Sequence, residues 1–435
     1  MPPTRTSTAR ATNREPSSPS TSRRPASRPG ASPTGVRTSP GSGTTATTRT
    51  VRRSPDAPAT VRRTERGPRP VQASVATHLV VGLVAAVATT VTVPLSRSLA
   101  HRVGAVAAPD ERRIHVRPTP TLGGLGMLVG FVAAFAAAAI SGGYVATFRS
   151  VLEVGGILVA AVLMYAVGFL DDVREMSAPA KIAGTVLAGS VLALTGTSLV
   201  VFRVPFAGFF VLSPDLAAFV TVVWVIGMTN AINLIDGLDG LAAGIVAIAS
   251  VAFFVYTLQL DDAGLLAPGN PAPLVAVATA GCCLGFLPHN LHPARTFMGD
   301  GGALLLGLLL ATATIAVGGR TRDPFSGSTF FFFAPLVIPL VILGVPVSDT
   351  LFAIIRRARR RSGLATADKG HLHHRLMDLG HGQRRSVAIL WAWTALLSAV
   401  AVYPTVTGSG DAFVLLALAG CALLLYTYFH PGLRR

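Results

Sequence analysis

Acidic, amide and histidine side chains interrupt an otherwise apolar sequence in four short clusters. They are Asp171-Asp172, the run from Asn230 to Gly240, the run from Phe297 to Gly301 and His371-Leu372-His373-His374-Arg375. Carboxylate and amide oxygens suit a hard cation such as Mg²⁺, which prefers one or two carboxylates together with substrate phosphates. Histidine and arginine are donors that suit an anionic phosphate. A metal on a pyrophosphate, carboxylates that hold the metal or the nucleophile and basic donors on the leaving group would together perform phosphoryl transfer.

The two acids at the end of one apolar stretch, Asp171 and Asp172, are direct neighbours. Adjacent side chains on a helix do not face the same way, so we expect separate roles: one points into a site and the other is a ligand or an orienting group. Asp300 lies between two glycines just before another apolar stretch. It is either a plain helix N-cap or a metal ligand, and acids on the same membrane face favour the ligand. Phe297 is either a core residue or a stacking surface for a base.

The cluster between residues 230 and 240 repeats polar residues at a spacing of three. In a helical turn Asp236 and Asp239 would share one face, and Asn230 and Asn233 would do the same and supply neutral oxygen ligands or donors. His371 and His374 have this spacing too. Zinc is conceivable there, but no Cys or HExxH pattern supports it.

The composition is that of an integral membrane protein. Of 435 residues, 51% are hydrophobic and 13% are charged, whereas soluble domains carry about 25% charged residues. About eleven apolar stretches are long enough to cross a bilayer, and such stretches must be helices. They cover residues 75–96, 121–140, 151–170, 180–200, 209–229, 240–259, 273–289, 302–318, 329–354, 386–406 and 411–430. The sequence therefore predicts an all-α, polytopic membrane protein with catalytic loops.

The chain divides into a basic Ser/Thr/Pro/Arg-rich tail, residues 1–72, and a multi-span membrane domain, residues 73–435. The tail has too few large apolar residues to offset its ordering entropy, so we expect it to be disordered. Most Lys and Arg residues of the domain follow odd-numbered spans. By the positive-inside rule those loops, which carry all four polar clusters, are cytoplasmic. The tail then lies outside, against its own charge.

Several stretches, in order along the chain, resemble the polyprenyl-phosphate N-acetylhexosamine-1-phosphate transferases, a membrane family that also contains the muramoyl-pentapeptide transferases. The matching stretches are residues 109–115, 118–124, 168–172, 230–240, 297–300 and 371–375. The resemblance covers about residues 75–430. It implies an eleven-span fold in the cell membrane with a cytoplasmic active site. It also implies transfer of a sugar-1-phosphate from a UDP-sugar to a polyprenyl phosphate, with release of UMP and a need for Mg²⁺, Mn²⁺ being an alternative.

The resemblance also implies roles for individual residues. Asp171 and Asp172 resemble the catalytic pair that handles the lipid phosphate, Asp300 resembles the metal ligand, and Asn233 resembles a residue near metal and pyrophosphate. The residues implied in substrate binding are Asn230, Asp236, Asp239, Phe297, His371, His373, His374 and Arg375. Direct attack by the lipid phosphate and a covalent intermediate both stay open. We favour direct attack, because a phosphate monoester needs little activation near neutral pH.

The choice of sugar rests on the histidine loop, residues 371–375. Its pattern resembles the GlcNAc type, whereas the muramoyl branch carries consecutive histidines followed by an acidic end. An actinobacterial source would favour decaprenyl phosphate as the lipid. We therefore expect UDP-GlcNAc as donor and decaprenyl or undecaprenyl phosphate as acceptor, in cell-wall polysaccharide synthesis. A sister enzyme that uses another UDP-sugar, including UDP-MurNAc-pentapeptide, is an alternative. A secondary transporter is another, although transporters place acids near the midplane and here they lie at span ends. We expect no nucleic-acid partner, and a homodimer is conceivable.

Overall fold

The computed structural model describes residues 73–107, 118–204, 208–318, 341, 343–359, 372–407 and 411–429. Three of the sequence-based predictions lie outside these residues: the basic tail 1–72, the stretch 109–115 and His371. The same is true of residues 329–340 in the ninth predicted span.

Within the described residues, the chain forms thirteen helices and two short strand pairs. The helices are α1 Val75–Val103, α2 Gly123–Ile140, α3 Val145–Phe148, α4 Val151–Arg174, α5 Ala178–Leu194, α6 Pro214–Ile235, α7 Leu241–Asp262, α8 Ala272–Asn290, α9 Gly299–Gly318, α10 Gly344–Arg359, α11 Leu372–Asp378, α12 Gln383–Thr407 and α13 Phe413–Phe429. The strands are β1 Val106–Ala107, β2 Thr119–Pro120, β3 Val201–Val204 and β4 Gly208–Val211.

The prediction of a polytopic helical membrane protein is confirmed. Eight described helices are long and apolar enough to cross a membrane: α1, α2, α4, α6, α7, α8, α9 and α12. The apolar helices α5 and α13 are shorter, at 17 residues each. These ten helices coincide with ten of the predicted spans, and α10 overlaps the end of the ninth.

The strand pairs are additions that the sequence did not predict. β1 pairs with β2 and β3 pairs with β4, both antiparallel. β4 occupies the start of the fifth predicted span, 209–229, and the helix begins only at Pro214. Two residues explain why the helix begins here. The Ser213 side chain caps the helix by accepting a hydrogen bond from the Leu216 amide, and Pro214 suits the first helical position.

Helix α9 lies at the centre of the described helices. It packs against α2, α4, α6, α7 and α8, and 94% of its span is buried, compared with 28% for α1. Its leucines, such as Leu305 and Leu308, are fully buried. In contrast, α1 exposes Leu79 and Leu83 on its outer face. The polar residues at the start of α9 therefore sit on the most firmly packed helix of the domain.

Candidate active site

The start of α9 is a tight turn, residues 297–301, which we call the Asp300 turn. Gly299 has a φ of +69°, a left-handed conformation that favours glycine. The turn is paired with the segment before α2: the Phe297 amide donates to the Pro120 carbonyl at 2.8 Å, and the Phe297 carbonyl accepts from the Gly123 amide at 2.9 Å. The Gly124 amide donates to the Met298 carbonyl at 3.0 Å. The stretch 118–124 thus holds the Asp300 turn through its backbone.

Two glycines on neighbouring helices let the backbones come this close. A Cβ atom on Gly124, at the start of α2, would lie 2.4 Å from the Gly302 nitrogen. A Cβ atom on Gly168, in α4, would lie 2.4 Å from the Asp300 carbonyl oxygen. Both distances are far below van der Waals contact, so neither position accommodates a larger residue without moving the turn. This is the physical reason for the glycines in the stretches 118–124 and 168–172.

Asp172, in the last turn of α4, caps the start of α9. One carboxylate oxygen accepts from the Asp300 amide at 2.9 Å and the other from the Gly301 amide at 3.1 Å. A negative charge there satisfies free amides and interacts favourably with the helix dipole. The geometry therefore favours a positioning role for Asp172, which holds the Asp300 turn.

Asp171 has a different set of partners, in line with the expectation of separate roles. It accepts a hydrogen bond from the Met176 amide at 2.7 Å and forms an ion pair with Lys181 Nζ, also at 2.7 Å. The same Nζ contacts the carboxylate of Asp300. Lys181, near the start of α5, thereby joins the two acids. The Asp300 side chain is 34% exposed and that of Asp171 is 14% exposed, so Asp300 is the more accessible of the two.

Lys181 is a site residue that the sequence-based prediction missed. Near the start of a predicted span, Lys181 fits the pattern of a positive-inside anchor. A signal was available, since Lys181 and Lys369 are the only lysines in the chain. A lysine among so many arginines points to a need for its compact charge.

Asn233, in the last turn of α6, completes the group. Its side-chain amide donates to Asp300 at 2.8 Å. Asn230, one turn earlier, is exposed and its amide bonds the Ile226 carbonyl of its own helix at 2.7 Å. The expected pairing of the two asparagines on one site is therefore seen only for Asn233.

Asp236 and Asp239, just beyond α6, lie in different surroundings. Burial, followed by the negative charge of Asp300 and of other nearby carboxylates, raises the pKa of Asp236 to about 8. Asp239 is turned instead toward the loop between α8 and α9, where it bonds His292 Nδ1 at 2.8 Å and the Ala294 amide at 3.1 Å. Asp236 and Asp239 therefore have different neighbours. Phe297 is half-buried, and its backbone is part of the turn itself.

The histidine loop is described only in part. Leu372–Asp378 forms α11, and Arg375 is exposed. The side chains of His373 and His374, like all of His371, lie outside what the structure describes. Their expected contact with phosphate and sugar stays a prediction.

The residues at the Asp300 turn are suited to a divalent cation whose remaining ligands come from the substrate. Within the described part of the chain, no group of three His, Cys, Asp or Glu side chains could hold a metal ion by itself. Mg²⁺ does not require such a cage, since it is commonly bound by one or two carboxylates and substrate phosphates. Asp300, with Asn233 beside it, offers such a donor set of hard oxygens.

Among the residues described, the structure brings Asp171, Asn233 and Asp300 together. Asp171 and Asn233 lie in the last turns of α4 and α6. Lys181 and Asp300 lie in the first turns of α5 and α9. Direct contacts join all four. The arrangement places two carboxylates, one amide and one ammonium in one contacting group, which has the donors and acceptors to hold a charged phosphate and a cation.

Comparison with known proteins identifies the family of the chain. Residues 154–318 match the model of glycosyl transferase family 4. The chain is 36% identical over 360 residues to a decaprenyl-phosphate N-acetylglucosaminephosphotransferase of Mycolicibacterium smegmatis, covering 82% of this chain and 88% of that protein. It is 37% identical over 324 residues to the protein of that name from Mycobacterium tuberculosis strain CDC 1551, covering 73% and 80%. A phospho-N-acetylmuramoyl-pentapeptide-transferase of Desulforudis audaxviator is 33% identical over 340 residues, covering 72% and 93%.

These matches extend well beyond the Asp300 turn and include most of the membrane domain. The resemblance drawn from the sequence is thereby confirmed. The chain belongs to glycosyl transferase family 4, the family of the polyprenyl-phosphate N-acetylhexosamine-1-phosphate transferases.

Proposed function

We propose that this protein transfers N-acetylglucosamine-1-phosphate from UDP-N-acetylglucosamine to a polyprenyl phosphate and releases UMP. An oxygen of the lipid phosphate forms a bond to the sugar-bearing phosphorus, and the bond from that phosphorus to the bridging oxygen breaks. The bridging oxygen leaves with UMP. The observation that carries the proposal is the contact of Lys181 with both Asp171 and Asp300 at one membrane face.

The names of the relatives support the sugar and the lipid. Two mycobacterial relatives are named as decaprenyl-phosphate N-acetylglucosaminephosphotransferases, and they cover more of this chain than the muramoyl-pentapeptide transferase does. The histidine loop of residues 371–375 points the same way. We therefore propose decaprenyl phosphate as acceptor, in the synthesis of a cell-envelope polymer.

Mg²⁺, or Mn²⁺ in its place, is the cofactor that we propose. Asp300 would hold it, with Asn233 orienting the Asp300 carboxylate through the hydrogen bond of 2.8 Å. When bound, such an ion neutralises the charge that a diphosphate carries and that its leaving group develops.

The protein's own residues have distinct tasks in this proposal. Lys181 reduces the electrostatic repulsion between Asp171 and Asp300 because it contacts both carboxylates. It can also donate a hydrogen bond from its ammonium group to a phosphate oxygen. Asp171, the more buried acid, faces the acceptor phosphate and can take a proton from it. Asp172 keeps the Asp300 turn in place by its bonds to two backbone amides. Direct attack needs no covalent intermediate on the chain.

We also propose that the site faces the cytoplasm of the cell. The loops on its side of the membrane carry most of the basic residues of the membrane domain. The transporter alternative is not favoured, because the acids lie at helix ends and pair with Lys181 instead of lining a midplane path. A homodimer stays a prediction.

The proposal is tested with purified protein in lipid nanodiscs. The protein is supplied with decaprenyl or undecaprenyl phosphate and, in turn, with UDP-GlcNAc, UDP-GalNAc and UDP-MurNAc-pentapeptide, and both UMP and the lipid product are measured. We expect UMP and a GlcNAc-diphospholipid in equal amounts with UDP-GlcNAc. A preference for UDP-MurNAc-pentapeptide would assign the protein to the sister activity, and no turnover of any donor would contradict the proposal.

A further inference from the structure

The loop between α8 and α9, residues 291–296, connects the region after α6 with the Asp300 turn. At its start, Asn290 accepts a hydrogen bond from the Gly240 amide at 2.9 Å and donates to the Thr296 carbonyl at 3.0 Å. At its end, the next residue is Phe297, whose amide pairs with Pro120. The position of this loop therefore affects both the 236–240 turn and the Asp300 turn.

His292 makes the central contact of the loop. Its Nδ1 lies 2.8 Å from the Asp239 carboxylate, whose side chain is only 1% exposed. A buried carboxylate needs close polar partners, because burial removes its hydration. The same oxygen also accepts from the Ala294 amide at 3.1 Å. The two bonds fix the Asp239 side chain against the loop.

The backbone of His292 is held from the opposite side. Arg384, in the first turn of α12, donates to the His292 carbonyl at 3.1 Å. Helix α12 also packs against α7, where Trp391 lies close against Gly244. His292 is therefore fixed by its side chain to the turn after α6 and by its carbonyl to α12, while 36% of its side chain stays exposed.

We propose that His292 is a positioning residue that acts through Asp239 to shape the nucleoside end of the UDP-sugar site. The contacts of Lys181 with Asp171 and Asp300 lie at the diphosphate end, and His292 makes none of them. His292 instead contacts Asp239 and the loop that leads into Phe297, which we assign to the nucleoside end. This inference rests on the proposed function and adds a residue that controls donor affinity, with little influence on the transfer step.

The test compares two variants of nearly equal size, His292→Asn and His292→Leu, in the full-length protein. Asn places an amide donor where Nδ1 lies, whereas Leu fills the space without a donor. Because a hydrogen bond to a buried charge is lost, we expect His292→Leu to raise the KM for UDP-GlcNAc about tenfold. We expect kcat to change less than about threefold, since the acids and Lys181 are untouched. His292→Asn should restore a KM near that of the unmodified protein, and His101→Ala, at an exposed histidine in α1, is the matched control.

A second measurement separates this inference from the proposed function. The affinity for UDP, measured without any lipid acceptor, should weaken in His292→Leu by the same factor as the KM. Failure of the unmodified protein to release UMP would overturn the proposed function, and UDP affinity would still test His292. If His292→Leu is not recovered folded, Arg384→Met removes the second tether and should raise the KM in the same direction. An unchanged KM and UDP affinity in these variants, or a loss confined to kcat, would overturn the positioning role.

Discussion

The ammonium group of Lys181 contacts the carboxylate of Asp300, and this ion pair joins the start of α5 to the start of α9. The same ammonium bonds Asp171 at 2.7 Å, so one cation balances the acids of two different helices. Partly buried carboxylates this close repel each other unless a positive charge lies between them. Lys181 is therefore the residue that reduces the repulsion between the two acids.

Replacing Lys181 by Met should remove most of the activity. Loss of one preorganised charged donor typically lowers kcat about 10²- to 10³-fold. Steady-state UMP release at saturating UDP-GlcNAc measures the effect. Lys181→Arg is the matched variant; it keeps the charge but not the compact ammonium, so we expect it to retain partial activity. If Lys181→Met turned over as fast as the unmodified protein, Lys181 would have only an anchoring role.

Asp172→Asn should destabilise the start of α9. The neutral amide has one acceptor oxygen, so one of the two backbone amides that Asp172 now satisfies would lose its partner. The expected loss is about 1–3 kcal/mol, seen as a lower apparent melting temperature in detergent. Asp215→Asn, at an exposed acid in the first turn of α6, loses only a solvent-screened interaction with the helix dipole and should lower the melting temperature less than Asp172→Asn does. An unaltered melting temperature together with lost turnover would instead assign Asp172 to the chemistry.

Gly168→Ala tests how closely the Asp300 turn is packed. The added methyl group would lie 2.4 Å from the Asp300 carbonyl oxygen and must displace the turn. A shift of about 1 Å at a reacting group can cost about 10²-fold in rate. Gly155→Ala is the control in the same helix, because no atom lies within 4 Å of its added methyl group. Equal UMP release by the two variants would contradict the packing argument.

Asp236 should make stability depend on pH. Its pKa in the folded protein is raised from 3.8 to about 8. Its contribution to stability is therefore fully present below 3.8 and is lost as the pH rises through about 8, because the folded state binds the proton more tightly. With EDTA present, the apparent melting temperature should fall more steeply between about pH 4 and about pH 8 in the unmodified protein than in Asp236→Asn. Parallel curves would count against a raised pKa.

The sequence predicted much of this site because hydropathy isolates its acids. Asp171, Asn233 and Asp300 each follow or precede a long apolar stretch, and alternate stretches return to the same membrane face. The partners of those acids could not be predicted in the same way. That Asp172 caps α9 and Asp239 pairs with His292 depends on how helices pack, and neither pairing leaves a pattern in the linear chain.

The fold was also predictable in part: the long helices were predicted and one strand hairpin was not. The apolar stretches gave the long helices, since only helices satisfy the backbone in lipid. The hairpin of β3 and β4 was missed because residues 208–211 are as apolar as the helix that follows, so hydropathy does not separate them. Ser213 and Pro214 were the local signal for the true start of α6.

The most direct test of the central claim is the dependence of UMP release on Mg²⁺ concentration in the unmodified protein and in Asp300→Asn. Asp300→Asn keeps the size of the side chain and removes its charge, and Asp215→Asn is the control for loss of an acid. We expect saturable activation by Mg²⁺ in the unmodified protein and the control, and a loss of about 10²-fold or more in Asp300→Asn with the protein still inserted in the membrane. An Mg²⁺ titration of Asp300→Asn that overlays that of the unmodified protein would contradict the assignment of the site to the Asp300 turn.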